Sequence, residues 1–157
     1  MTQVRAKAKR SPSLDAAAAA HAYVLEEQVG FLLRCAHQRA SEMFNAVMRP
    51  FGVTPRQFAA LAKLDDLGSV SQNQLGRLTA MDRATISGVI ARLAARGYVQ
   101  QSSDPRDGRL VALGLTAAGS RAISAMKAVA AEVSRRTLAP LSAPEVAALL
   151  KALGKIG

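Results

Sequence analysis

Several residue types are scarce in this chain, and each shortage excludes a class of protein. The 157 residues include no tryptophan, only four phenylalanines and two tyrosines, and a single cysteine, Cys35. One cysteine cannot form an internal disulfide, which excludes a disulfide-stabilised secreted scaffold and fits a reducing cytoplasm. No segment approaches the run of about 20 apolar residues that a membrane helix needs. The opening is basic and then alanine-rich, without a secretory apolar segment, so we expect a cytoplasmic protein with no membrane partner.

The chain also lacks the residue patterns of the common enzymes. Its two histidines, His21 and His37, and its one cysteine are not accompanied by paired carboxylates in a cleft motif. There is no glycine-rich phosphate loop and no spacing typical of metal ligands. We therefore expect no catalysis, no metal and no cofactor.

Positive charge is abundant by contrast. Lysine and arginine number 21 against 11 acidic residues, which gives a formal net charge of +10. An excess of this size favours a polyanionic partner, nucleic acid first and an anionic membrane second. Half of the residues are apolar and many of these are alanine, which predicts closely packed helices around one core.

Capping signals and hydrophobic periodicity divide the chain into helices and one hairpin. The segment "TPRQ" (54–57) has the form of a capping box with proline at the first helical position, and Asp82 and Thr116 are suited to cap the helices that follow them. The segments "YVQQSS" and "RLVALGL" look like short strands joined by the turn "DPRDG", and together they predict a β-hairpin. The predicted helices run from about Asp15 to Val47 and over about 55–67, 72–79, 81–97, 117–137 and 143–153.

The stretch "MDRATISGVIARLAARG" (81–97) has an unusual distribution of side chains. At 100° per residue its large apolar side chains share one face, and the opposite face is nearly bare, where a solvated helix would carry Glu, Lys and Gln. The apolar face consists of Ile86, Val89, Ile90 and Leu93, and the bare face of Ala84, Gly88, Ala91 and Ala95. A short helix before it and a hairpin after it complete the order of a winged helix-turn-helix, whose second helix enters the major groove of DNA.

The segments "LGRLTAMDRATISGVIARLAARGYV", "DPRDGRLVALGLTAAG" and "TPRQFAALAKL" resemble the MarR family of bacterial transcriptional regulators. The resemblance implies a mainly α fold with a small β-hairpin wing and with dimerisation helices at both ends of the chain. We expect a disordered basic tail at 1–14, a helical dimerisation region formed by 15–50 and 117–157, and a DNA-binding lobe at 51–116. The resemblance further implies a homodimer on double-stranded DNA with a pseudopalindromic operator, and control by a small ligand that loosens DNA binding.

Polar side chains of the winged unit are the candidate DNA contacts. Arginines on the reading helix can pair with phosphates, and its Thr and Ser hydroxyls can bind phosphate or a base edge. The start of the preceding helix can hold phosphate, although capping alone would explain its residues, and any exposed side chain could instead be merely solvated. The full set is Ser71, Gln72, Gln74, Arg83, Thr85, Ser87, Gly88, Arg92, Arg106 and Arg109.

Gly88 departs from the family pattern. Many relatives carry a large polar residue, often arginine, in the middle of the reading helix. Glycine inside a helix costs about 1 kcal/mol relative to alanine. Its presence favours a close approach of the helix backbone to another surface, DNA in the first place, and the alternative is tolerated drift.

A polar stripe on the first helix is the candidate ligand site, and it consists of Arg34, His37, Gln38, Ser41 and Asn45. A solvated face would also explain this stripe, but the resemblance implies a ligand pocket between the dimerisation helices and the winged lobe. Arg34 and His37 could hold a carboxylate there, while apolar side chains cover an aromatic ring. The candidate residues are Arg34, His37, Gln38, Met43, Phe51 and Phe58. The segment "VGFLLRCAHQR" looks like regulators that respond to an aromatic acid or its aryl-CoA thioester.

Two alternatives to this ligand-responsive repressor remain. One is an architectural DNA-binding protein without a specific operator. The other is a redox-sensing regulator that uses Cys35, because some relatives sense organic peroxides through a cysteine in the first helix. That reactive position falls at about Gly30 in this sequence, so we interpret Cys35 as a small packing residue.

Replacement of Arg106 by alanine tests the wing. The family pattern places Arg106 at the wing tip, while it makes Arg109 partly structural, tied to Asp104 or Asp107. We expect Arg106→Ala to weaken operator binding in a gel-shift titration and to leave the thermal unfolding midpoint unchanged. Unaltered affinity would remove the wing from the binding mechanism.

Overall fold

The structure is a computed structural model that describes residues 23–103 and 111–156. Two short 3-10 turns, Leu25–Glu27 and Arg49–Phe51, flank the first helix. The main elements are α1 (Val29–Met48), α2 (Pro55–Leu67), β1 (Ser69–Val70), α3 (Gln72–Leu78), α4 (Arg83–Ala95), β2 (Val99–Ser103), β3 (Val111–Leu115), α5 (Ala117–Leu138) and α6 (Ala143–Ile156). The chain divides into two compact units, Met1–Ala36 and His37–Gly157. Within the described ranges, no helix is long and apolar enough to span a bilayer.

The second unit confirms the predicted winged helix-turn-helix and adds one strand to it. The strands β1, β3 and β2 form an antiparallel sheet in that order. Ser69 lies opposite Gly114 and Val70 opposite Leu113. The sequence predicted only the hairpin, because a two-residue strand has no periodicity of its own and exists only through its pairing with β3.

The first helix is shorter than predicted. Val24 and Gln28 both have extended backbone angles, only a 3-10 turn lies between them, and α1 begins at Val29. The Gln28 side chain donates from Nε2 to the carbonyl oxygen of Val24 at 2.9 Å, which supports the turn. The prediction of a continuous helix through residues 23–28 is therefore wrong. The expected start of that helix, at Asp15, lies outside the described residues.

Cys35, expected to pack as a small side chain, is exposed in this chain.

The apolar face of α4 is the part of the fold that positions the candidate DNA interface. Ile86, Val89, Ile90 and Leu93 are each no more than 3% exposed, which confirms the face predicted from the sequence. Burial of such a side chain contributes about 1.5–3 kcal/mol relative to leaving it in water. They pack in one core with side chains of the neighbouring helices and of β3, including Leu61, Leu64, Leu75, Leu113, Ile123 and Met126. The opposite side of α4 is thereby turned outward.

The predicted caps form where the helices of the lobe begin. Thr54 and Gln57 make the full capping box: the Gln57 backbone N–H donates to Thr54 Oγ1 at 3.3 Å, and the Thr54 backbone N–H donates to Gln57 Oε1 at 2.9 Å. Asp82 caps α4, and Thr116 caps α5 by accepting from the Gly119 backbone N–H at 3.0 Å. Such caps stabilise a helix by about 1 kcal/mol each and fix where it begins.

A close backbone contact at Gly119 joins the reading helix, the wing and α5. The Thr116 hydroxyl donates to the carbonyl oxygen of Gly97 at 2.6 Å, and the Thr116 backbone N–H donates to that of Tyr98 at 3.0 Å. A Cβ built at Gly119 would lie 2.0 Å from the Tyr98 carbonyl oxygen. Only glycine fits at this crossing, because both partners of the contact are backbone and neither can rotate away.

We expect Gly119→Ala to destabilise the protein strongly. The overlap requires a backbone shift, for which we expect a loss of about 3 kcal/mol or more in the free energy of unfolding. That loss lowers the thermal midpoint by roughly 10 °C, which circular dichroism would detect. The control is Gly154→Ala in α6, where an added Cβ meets no atom within 4 Å. An equal midpoint for Gly119→Ala and wild type would contradict the close contact.

Candidate functional site

The first turn of α4 holds Thr85 in a defined orientation. The Thr85 backbone N–H donates to Asp82 Oδ1 at 2.8 Å, and the Thr85 hydroxyl donates to Asp82 Oδ2 at 2.7 Å. These two hydrogen bonds, the backbone one first, lower the pKa of the Asp82 carboxyl below its ordinary value. Since the hydroxyl hydrogen is already donated to Asp82, the Thr85 side chain is left with its methyl group and the lone pairs of its oxygen for any further contact.

Two arginines flank a small groove between α3 and α4. Arg83, a predicted DNA contact, lines a cavity of about 250 Å³ together with Arg77 and Asn73. Arg77 lies in the last turn of α3 and is exposed, as is Arg83. Sequence reasoning missed Arg77, although an arginine in a helix that precedes a reading helix is itself a signal of phosphate binding.

The other predicted DNA contacts have different surroundings. Ser87 is exposed on α4. Ser71 caps α3, since its Oγ accepts from the Gln74 backbone N–H at 3.3 Å, and Gln72 is half-buried beside it. Arg106 and Arg109 lie outside the described residues.

An open groove of about 610 Å³ lies in the second unit, and α4 contributes one of its walls. The second wall comes from α1 and the third from the start of α2. It is lined by His37, Ser41 and Asn45 of α1, by Thr54, Pro55 and Arg56, and by Ala84, Thr85, Gly88, Val89 and Arg92 of α4. Three predicted DNA contacts, Thr85, Gly88 and Arg92, therefore share this groove with one predicted ligand residue, His37.

The groove combines cationic and hydrogen-bonding side chains with a bare strip. Arg56 and Arg92 supply guanidinium groups, which bind a carboxylate through two parallel hydrogen bonds. Serine, asparagine and threonine supply uncharged donors and acceptors on the opposite walls. Ala84 and Gly88 leave a strip without polar side chains on the α4 wall. The groove therefore offers groups that bind an anion beside a strip of small residues.

The remaining predicted ligand residues are not gathered in the groove. Gln38 is exposed on α1 and donates to Glu42 Oε1 at 3.3 Å, and Met43 is half-buried. Phe51 and Phe58 pack against the core, where the Phe58 ring meets that of Phe44 edge to face at 5.7 Å between centroids. Arg34 belongs to the other compact unit, and its guanidinium lies 5.1 Å from the centroid of the Phe31 ring.

Comparison with known proteins agrees with this geometry. The MarR family profile matches residues 51–110. The HTH-type transcriptional repressor NicR of Pseudomonas putida is 41% identical over 134 residues, which are 85% of each chain. A probable transcriptional regulator from Pseudomonas aeruginosa has a TM-score of 0.81 and 46% identity, covering 85% of this chain and all of its own. The chain belongs to the MarR family.

A second solved structure has the same TM-score against this chain. It is BpsR of Bordetella bronchiseptica, whose DNA binding is regulated by 6-hydroxynicotinic acid. The TM-score is 0.81 and the identity 36%, and the match covers 86% of this chain and 96% of BpsR. The chain is thus a MarR-family DNA-binding transcriptional regulator.

Four polar residues of this groove were not predicted to contact a ligand, and they lie on two of its walls. Thr54 and Arg56 were read only as parts of the start of α2, and Thr54 does serve the capping box. Ser41 and Asn45 were seen as a polar stripe with His37, at the spacing of one helical turn, but were not chosen as ligand contacts. The helical spacing of the polar residues on α1 therefore indicated one wall of the groove. No sequence pattern indicated that Arg56, in another helix, lies near that wall.

Arg96 fixes the end of the reading helix and was also missed. Its guanidinium donates to the carbonyl oxygens of Phe51 and Gly52, both at 2.7 Å, and lies 4.9 Å from the centroid of the Tyr98 ring. Gly52 has a φ of +59°, a conformation that glycine adopts without strain. Arg96 thus ties the C-terminal end of α4 to the turn that follows α1, the helix that supplies the opposite wall of the groove.

Proposed function

We propose that this regulator is a homodimeric repressor that a small aromatic acid releases from its operator. The observation that carries the proposal is the groove wall itself. Thr85, Gly88 and Arg92, which are candidate DNA contacts on α4, line the same cavity as His37 and a further guanidinium group. A ligand in this groove would bind directly to the reading helix.

The DNA-binding part of the proposal rests on the outward side of α4. Its apolar face is buried, so the exposed side is the one available to the major groove. Arg77, Arg83 and Arg92 surround this side with positive charge suited to phosphate contacts. Base readout falls to Thr85 and Ser87.

A homodimer accounts for apolar surface that a single chain leaves in water. On α6 the side chains of Leu149, Leu150, Leu153 and Ile156 are 37%, 56%, 37% and 68% exposed, and they share one helical face. In the other unit Tyr23, Leu25, Val29, Leu32 and Leu33 are between 42% and 74% exposed. An exposed apolar helix face such as that of α6 marks a protein interface. A twofold dimer would present two reading helices to the two halves of a pseudopalindromic operator.

The effector class follows from the chemistry of the groove together with the relatives. The cavity of about 610 Å³ is within the usual size of a small-molecule site. Arg56 and Arg92 favour a free carboxylate, which an aryl-CoA thioester has lost at its aryl end. The acid 6-hydroxynicotinic acid regulates BpsR, so we take a hydroxylated single-ring acid of this type as the effector.

Release would follow from competition for Arg92. An effector carboxylate paired with the Arg92 guanidinium withdraws that group from a DNA phosphate. No step of this mechanism makes or breaks a covalent bond, so we assign the protein no catalytic activity. We place it in the cytoplasm with the bacterial chromosome.

The first test compares promoter DNA with random DNA at a fixed salt concentration. We expect the protein to prefer the promoter region of its own gene by about a thousandfold or more, measured by fluorescence anisotropy. Equal affinity for both would support the architectural alternative and contradict a specific operator.

The second test removes a groove cation that is not a candidate DNA contact. We expect Arg56→Ala to raise the concentration of 6-hydroxynicotinic acid needed for half-maximal release from promoter DNA by about tenfold, because one charge-assisted hydrogen-bond pair is lost. The matched control is Arg39→Ala, an exposed cation of α1 that does not line the groove. Equal release by wild type and Arg56→Ala would contradict the groove as the effector site.

A further inference from the structure

Gly88 occupies a position where the fold itself makes no demand for glycine. A Cβ built on Gly88 meets no atom within 4 Å, whereas a Cβ at Gly119 would overlap backbone. Gly88 lies inside a regular helix, so its backbone angles do not require glycine either. Glycine in a helix interior costs about 1 kcal/mol relative to alanine. Packing among the described residues therefore does not compensate for this loss of helix stability.

The space above Gly88 is the groove described above. The residues one turn away on the same face of α4, Ala84 on one side and Arg92 on the other, also line it. Any side chain at position 88 would project into this volume, because the groove is what lies over the missing Cβ. A leucine or an arginine at this position would fill the bare strip between Ala84 and Arg92.

We propose that Gly88 is a specificity-determining residue for the effector, and that the ring of the bound acid lies against its backbone. This inference rests on the proposed function, because it assigns the groove to an aromatic acid. In this arrangement the ring lies over the bare strip formed by Ala84 and Gly88, and the carboxylate faces the guanidinium groups of Arg56 and Arg92. The absence of a side chain at 88 leaves the space that the ring occupies.

This role differs from base readout in what it predicts for the protein without DNA. If Gly88 serves only close approach to DNA, effector binding to the free protein is indifferent to a substitution there. If Gly88 destabilises the helix and has no role in binding, Gly88→Ala stabilises α4 and leaves the affinity for effector unchanged or higher. A groove role predicts the opposite sign, a more stable protein that binds effector less well.

The experiment is isothermal titration of 6-hydroxynicotinic acid into DNA-free protein. The variants are Gly88→Ala, Gly88→Leu and, as control, Ala94→Leu, which adds the same bulk at an exposed position of α4 outside the groove. We expect Kd to rise severalfold for Gly88→Ala and by about a hundredfold for Gly88→Leu, the range associated with steric misfit in a pocket. The control should match wild type. Circular dichroism should show Gly88→Ala to be at least as stable as wild type.

The possible results distinguish a failure of the proposed role of Gly88 from a failure of the proposed effector groove. Unchanged Kd in both Gly88 variants, with weakened binding in Arg56→Ala, would overturn the role of Gly88 and leave the effector groove standing. Equal weakening by Gly88→Leu and Ala94→Leu would also overturn it, because bulk anywhere on α4 would then suffice. Absence of binding to wild type would overturn the choice of effector and, with it, the placement of its ring on Gly88.

Discussion

Burial of one face of α4 is the constraint on which the rest of the structure depends. Ile86, Val89, Ile90 and Leu93 leave the helix only one orientation in which its large apolar side chains avoid water. That orientation turns Ala84, Gly88, Ala91 and Ala95 outward and brings Arg92 to the edge of the groove. The cap at Asp82 fixes the start of the same helix. The hydrogen bonds from Arg96 to the carbonyl oxygens of Phe51 and Gly52 fix its end. Burial of the apolar face in the core thus also determines which side of α4 faces outward.

Most of the fold could be predicted because its signals are local. The capping box at Thr54 and Gln57, the cap at Thr116 and the apolar face of α4 each depend on residues within a few positions of one another. The strand β1 could not be predicted, since it is defined by a partner far along the chain. The start of α1 was misjudged because alanine and glutamate favour helix on propensity, while the extended angles at Gln28 end it.

The candidate site was predictable one helix at a time and not as a cavity. Helical periodicity identified the polar stripe of α1 and the bare face of α4, and part of each lines the groove. What joins them is tertiary: Arg56 comes from the first turn of a third helix, where the sequence shows only a capping motif. The aromatic side chains expected over a ring, Phe51 and Phe58, pack against the core instead, and Phe58 also lines a different cavity of about 410 Å³. Sequence patterns cannot show which cavity an aromatic side chain lines.

The shared wall of the groove has a thermodynamic consequence for the cell. When one helix presents both the operator contacts and the effector contacts, the two binding equilibria are linked, and the factor by which effector weakens DNA binding equals the factor by which DNA weakens effector binding. Under the proposed function, the protein therefore has no single sensitivity to its effector. Protomers held on an operator respond at a higher effector concentration than protomers free in solution, so the response threshold is set partly by how much DNA the regulator occupies.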